Sequence, residues 1–234
     1  MPGTEPEPSS RAELLARARA LSGQALGAVA ARYGVAVPAD LRRRKGFAGE
    51  LLERALGAAA ASRSGPDFPA LGVELKSLPV GARGQPLEST FVCTLPLGRV
   101  GDLEWQASPV RRKLESVLWI PVQGQREIAP GARLIGEPLL WSPSAEQEAE
   151  LRQDWDELSG LIGRGRIDEI SGHLGRCLQV RPKAAHSRVR RAAFRPGEGR
   201  SDELPRGFYL RATFTARIVN EHYLVPVSER TRRP

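Results

Sequence analysis

Residues 71–80 read LGVELKSLPV, and the fold turns on how this stretch is parsed. Upstream, apolar residues recur at helical spacing. Within it, Val73, Leu75 and Ser77 alternate with Glu74, Lys76 and Leu78, the period of a strand. The chain therefore passes here from helices to a sheet. On the helical side, Ser10-Arg-Ala-Glu13 has the form of a capping box, and Leu14, Leu15, Ala18, Leu21 and Ala25 follow it in register. This predicts a helix over Ser10–Ala20, a second near Leu26–Tyr33, and a third over Phe47–Ala61 after the basic connection 38–46 (PADLRRRKG). Ser62–Asp67 then breaks the pattern with Ser, Gly and Pro.

Downstream, strands are expected at Ser89–Leu95, Ser116–Val122, Leu134–Trp141, Cys177–Arg181 and Gly207–Phe214. An acidic amphipathic helix is expected over Ser144–Ile162, an Arg/Gly-rich loop over Ala185–Leu204, and a closing helix over Thr215–Leu224. Residues 1–8 look frayed and 228–234 form a basic tail. Helices followed by strands with a helix among them point to an α/β fold with a mixed sheet.

The composition agrees with a globular chain: 41% of the 234 residues are apolar and 26% charged, which excludes a disordered or fibrous protein. No apolar run approaches the roughly 18 residues of a membrane helix. The first thirty residues carry charge throughout and lack a signal core, so a cytoplasmic location is expected. Cys93 and Cys177 provide no disulfide framework or zinc spacing, and His173, His186 and His222 are scattered.

The charge is uneven. Residues 1–180 contain 22 basic and 22 acidic side chains, whereas 181–234 contain 13 basic and 5 acidic, so the net +8 lies in the last quarter. Such a block is an electrostatic footprint for a polyanion or a solubilising tail, and charge alone leaves both open. Among the 35 basic residues only Lys45, Lys76, Lys113 and Lys183 are lysines. Because Lys is a compact point charge and Arg a planar fork, each retained lysine is a candidate for a role Arg cannot fill.

One constellation stands out between Glu53 and Lys76. Alternation places Glu74 and Lys76 on one face of the strand, Asp67 lies just before it, and Glu53 on the preceding helix can face the same point. Converging carboxylates repel unless a cation joins them, and a hard cation with oxygen ligands, Mg²⁺ above all, fits that set. Phosphodiester cleavage needs such an ion to neutralise the phosphate and hold water, with a lysine to orient or deprotonate that water. As a bare pattern, Asp-x₆-Glu-x-Lys also describes a solvated Glu–Lys pair on a surface strand.

Longer blocks carry more information: LSGQALGAVA, RRKGFAGELLE, DFPALGVELKSLPV, GQPLESTFVC, VRRKLESVLWIPV, PLLWSP, LRQDWDEL, LQVRPKAA and LPRGFYLRATF. In this order and spacing they resemble the MutH family of DNA mismatch-repair endonucleases over almost the whole chain. The resemblance implies a restriction-endonuclease-like fold: a mixed central sheet flanked by helices, as one domain with two lobes around a DNA cleft. It implies Mg²⁺-dependent nicking of the unmethylated strand at hemimethylated GATC sites, a monomer in the free state, MutL as activator and MutS upstream.

By position, the resemblance assigns Asp67, Glu74 and Glu53 to the metal site and Lys76 to catalysis, with Lys113 approaching the scissile phosphate. A solvated place in the patch Arg111-Arg112-Lys113 is the competing reading of that lysine. Lys45 and Gly46 match a DNA-contacting loop, and Phe91 an aromatic residue of the cleft. Arg181, Pro182 and Lys183 match a recognition loop, where Arg can address guanine through two parallel hydrogen bonds. Tyr209 matches the residue beside the adenine amino group and becomes the candidate methylation sensor. Glu50 has no such match and reads as helix surface. The competing functions are a restriction endonuclease of the same family that cuts both strands at GATC and a catalytically silent DNA-binding module.

Overall fold

The computed structural model describes residues 5–41, 44, 46–59, 65–95, 103–183, 191–195, 199–203 and 205–223. Lys45, the first four residues and the tail at 228–234 therefore lie outside the described residues. The helices are α1 (Arg11–Ala20), α2 (Leu26–Arg32), α3 (Phe47–Leu56), α4 (Pro109–Leu114), α5 (Ala145–Gly163) and α6 (Ala212–Tyr223). The strands are β1 (Glu74–Val80), β2 (Thr90–Thr94), β3 (Val117–Gln123), β4 (Leu139–Trp141), β5 (Leu178–Pro182), β6 (Arg191–Arg195), β7 (Gly199–Glu203) and β8 (Arg206–Leu210). No helix among the described residues is long and apolar enough to cross a membrane.

The chain divides into two compact units. The first comprises Met1–Leu87, Glu115–Ser142 and Ile218–Pro234. Its sheet has the order β1-β3-β4, with β1 parallel to β3 and β4 antiparallel, so it is mixed as expected. One face of that sheet contributes Leu75, Leu118 and Ile120 to a core completed by Leu14 of α1, Leu26 of α2, and Leu51 and Leu52 of α3. Each such side chain contributes on the order of 1.5–3 kcal/mol when fully buried, which is what holds α3 against β1. Ser10 caps α1 by accepting from the Glu13 N–H at 3.1 Å, as the sequence signals. The reciprocal arm shifts by one residue, with Glu13 accepting from the Ser9 N–H and hydroxyl. Residues 5–8 have no regular structure, yet Arg17 donates to the Pro6 carbonyl at 2.6 Å, which ties them down.

The second unit comprises Glu88–Leu114 and Pro143–Arg217. Its antiparallel sheet has the order β2-β8-β5, and a separate hairpin pairs β6 with β7. Leu178, Val180, Phe208 and Leu210 are buried, and the Trp155 ring of α5 lies 5.1 Å from that of Phe208. Ser144 and Gln147 form a complete capping box at the start of α5. The buried carboxylate of Asp154 accepts the N–H groups of Arg176, Cys177 and Leu178 at 2.6–2.9 Å, fixing the approach to β5.

Several element boundaries depart from the sequence reading. Helix α3 ends at Leu56 rather than Ala61, because Gly57 adopts φ 75° and caps it. A side chain there would also collide with the Pro6 carbonyl, 2.3 Å from where its Cβ would stand. Only Leu139–Trp141 of the expected Leu134–Trp141 strand is regular; Leu134 and Ile135 form isolated bridges. Strand β8 stops at Leu210 and Phe214 belongs to α6, which begins three residues before the expected start. The segment read as a loop over Ala185–Leu204 contains the β6–β7 hairpin.

Candidate active site and nucleic-acid interface

In the first unit, a tight return brings Asp67 back to the start of β1. Phe68 and Val73 exchange backbone hydrogen bonds at 2.9 and 3.2 Å, and the buried Phe68 ring anchors the turn. Asp67 Oδ2 then accepts the Leu75 N–H at 2.8 Å. Glu74 opens β1, donating its own N–H to the Ser116 carbonyl at 2.9 Å. Although Glu74 is only 2% exposed, its Oε1 receives the ammonium of Lys76 at 2.6 Å, the expected pair two positions apart on one strand face. This pair is too sheltered to be an ordinary solvated surface pair.

Glu53 projects from α3, whose packing on β1 sets its place. Burial raises the Glu53 pKa, and the charges of Asp67, Glu74 and Glu50 raise it further, against a lowering by Lys76. The charges of Asp67, Glu74 and Lys76 thus bear on Glu53, and Lys76 pairs with Glu74. Glu50 is exposed and paired with Arg44 at 3.0 Å, consistent with helix surface. Gly46 precedes α3 as its N-cap residue.

The fit to a metal ion rests on this donor chemistry. Among the described residues no three His, Cys, Asp or Glu side chains form a ready-made ligand cage. What is present is Glu53, its proton affinity raised by burial and by the charges of Asp67 and Glu74, with those two carboxylates nearby. That suits an ion such as Mg²⁺, which keeps several waters and takes one or two carboxylates together with substrate phosphate.

Lys113 lies in the second unit, on α4, and is only 8% exposed, which removes its reading as a solvated member of a basic patch. The same unit gathers Phe91, Arg181 and Tyr209 on one sheet face, with Lys183 just beyond the end of β5. Register places Tyr209 of β8 opposite Phe91 of β2 and Gln179 of β5, with Arg181 opposite Gly207. The Phe91 and Tyr209 rings meet edge to face at 5.3 Å and 67°. The Arg181 guanidinium lies 5.8 Å from the Tyr209 ring centre, and Lys183 Nζ stands 3.4 Å from that of Phe91. Pro182 ends β5 exposed, and the Lys183 N–H donates to the Pro205 carbonyl at 2.6 Å. Burial raises the Tyr209 pKa, opposed by Arg181.

Two members of this face escape sequence reasoning. Gln179 is buried and donates to the Ser89 hydroxyl at 2.7 Å, beside Tyr209. Gly207 lies beneath the Phe91 ring. Their signal was the two-residue period, which aligns Gln179 with Arg181 and Gly207 with Tyr209.

Comparison with known proteins adds a second line of observation. Residues 56–154 match the family model described as "DNA mismatch repair enzyme MutH". The DNA mismatch repair protein MutH of Vibrio cholerae serotype O1 is 50% identical over 219 residues, 94% of this chain and 99% of that protein. The protein of the same name from Klebsiella pneumoniae subsp. pneumoniae is 49% identical over 218 residues, covering 93% and 94% of the two chains. That from Escherichia coli O6:K15:H31 is 48% identical over 218 residues, covering 93% and 95%.

Proposed function

From its place in the MutH family of DNA mismatch-repair enzymes, to which the chain belongs, we propose that it nicks the unmethylated strand of hemimethylated GATC sites with Mg²⁺ as cofactor. It is a mismatch-repair endonuclease of a restriction-endonuclease-like family. The observation that carries the finer reading is the meeting of Glu53, Asp67, Glu74 and Lys76 at the start of β1. A protein that only bound DNA would gain nothing from burying carboxylates that repel phosphate.

Asp67 and Glu74, with Glu53 beside them, would hold the Mg²⁺, which when bound neutralises phosphate charge and lowers the pKa of water. Lys76, held on Glu74, orients the attacking water and offers positive charge where charge builds on the phosphorus oxygens. The turn at Phe68–Val73 fixes Asp67 through the Leu75 N–H, so its carboxylate is set before substrate arrives. In the second unit, Arg181 and Lys183 supply base-edge and phosphate contacts, while Tyr209 senses the adenine methyl group. Lys45 and Gly46 add backbone contacts from the loop before α3, and Lys113 addresses the scissile phosphate. MutL as activator, with MutS upstream, completes the proposed pathway, and the protein acts as a monomer in the cytoplasm.

The test is strand-resolved cleavage of unmethylated, hemimethylated and fully methylated GATC duplexes with Mg²⁺, with and without MutL and ATP. Nicking confined to unmethylated strands is the expected result. Equal cutting of both strands whatever their methylation would identify a restriction enzyme, and binding without cutting a silent module.

A further inference from the structure

Strand β8 carries a glycine, Gly207, two residues before Tyr209 and on the same face of its sheet. It does not occupy a positive-φ conformation, so backbone freedom is not what it supplies. What it supplies is room. A Cβ at position 207 would stand 2.8 Å from Phe91 Cε2 and 3.4 Å from Cδ2, with the Cys93 carbonyl oxygen at 3.0 Å. The Phe91 ring therefore lies over the bare backbone of β8. It is aimed there by an irregularity in β2: the register shifts between Phe91 and Cys93, so that Phe91 pairs with Tyr209 and Cys93 with Phe208.

The ring laid down in this way makes two contacts with the residues assigned to DNA reading. Its edge-to-face contact with Tyr209 limits where the phenol can swing, and Lys183 Nζ is seated 3.4 Å from its centre. Lys183 follows the exposed end of β5, where an unheld lysine would sample many rotamers.

We propose that Gly207 is a specificity-positioning residue, its missing side chain admitting the Phe91 ring as a platform that presets Lys183 and Tyr209 for reading the DNA site. Phe91 thereby acts through two neighbours. This rests on the DNA-reading role proposed for Tyr209 and Lys183 and adds the device that holds them.

The chain's four lysines make the test direct. In full-length protein labelled with ¹³C at the lysine ε-carbons, the Lys183 signal, assigned by its loss in Lys183→Arg, should be shifted upfield by the Phe91 ring. Gly207→Ala and Phe91→Leu should each move it to the position of an exposed lysine. Both should reduce discrimination between hemimethylated GATC and a one-base variant by roughly tenfold, the effect of one lost cation–π contact. In Gly207→Ala the Lys183 signal and the discrimination should change together, whereas a merely structural glycine would lower the rate on every duplex alike and leave the discrimination unchanged. In the Phe91→Ala background, Gly207→Ala should cost no more than about twofold further, because the ring it displaces is already gone.

An unshifted Lys183 signal in the wild type, or undiminished discrimination in Gly207→Ala, would overturn the proposal. Should Gly207→Ala fail to fold, Phe91→Leu decides by the same two readouts. A wild-type protein that cuts DNA without site or methyl preference would refute the proposed function instead. In that case the lysine spectrum alone judges whether Gly207 holds the platform.

Discussion

Lys76 shows how much one residue discloses. Its rarity in an Arg-rich chain and its place two positions after Glu74 mark it in the sequence, and the structure adds a 2.6 Å contact with a carboxylate only 2% exposed. Asp67 was equally legible, because a Pro-Ala-Leu-Gly turn gives the chain just enough length to return on itself. Burial of Lys113 was not legible: its neighbours are Arg111 and Arg112, and local composition cannot reveal which side of a short helix faces inward. Tyr209 could be placed on a strand, but not against Phe91, since that pairing depends on the irregularity in β2. Tyr209→Phe removes a hydroxyl while leaving the ring packing intact. It should change the ratio of nicking rates on hemimethylated and fully methylated duplexes by roughly tenfold, with less than about twofold change on unmethylated DNA. An unchanged ratio would remove Tyr209 as the methyl sensor.

Elements with strong caps were readable and those shaped by distant contacts were not. Helices α1 and α5 begin where their Ser caps predict. Helix α4 spans six residues and the sequence reading gave it no helix, while the β6–β7 hairpin lies in an Arg-rich stretch without apolar alternation. The Asp154 contact also joins residues more than twenty positions apart, beyond any local pattern. Asp154→Ala would leave the N–H groups of Cys177 and Leu178 buried without their acceptor. The expected loss is roughly 3 kcal/mol or more, about 6–12 °C in Tm for a chain of this size, measurable by thermal unfolding. Glu13 offers a pH test on α1. Hydrogen bonds from Ser9 and Arg17 lower its pKa from 4.5 to about 2 in the folded state. A lowered folded value gives stability that is full above the unfolded pKa and lost as pH falls through the folded one. The urea midpoint of wild type should therefore exceed that of Glu13→Gln at neutral pH, and the gap should close between about pH 4.5 and pH 2. A gap that stayed constant across that window would contradict the linkage.

Across the whole molecule, charge and chemistry are divided along the sequence. The neutral first 180 residues supply the carboxylate–lysine group, and the basic remainder begins at Arg181 on the end of β5. The α/β class and its mixed sheet were legible because the apolar period changes at residues 71–80. The partition of the described strands among three sheets was not, because pairing partners such as β2 and β8 are separated by more than a hundred residues. The long blocks shared with MutH identified the family more surely than any single motif, since order and spacing over most of the chain restrict the alternatives. We propose that DNA is cut at the group around Lys76. This is tested most directly by measuring single-turnover cleavage and Kd together, for wild type and Lys76→Ala, on one hemimethylated GATC duplex with Mg²⁺. Cleavage should fall by roughly 10²–10⁴-fold, the range for a lost proton-handling group, while Kd changes by less than about threefold. Cleavage by Lys76→Ala at the wild-type rate would contradict the assignment.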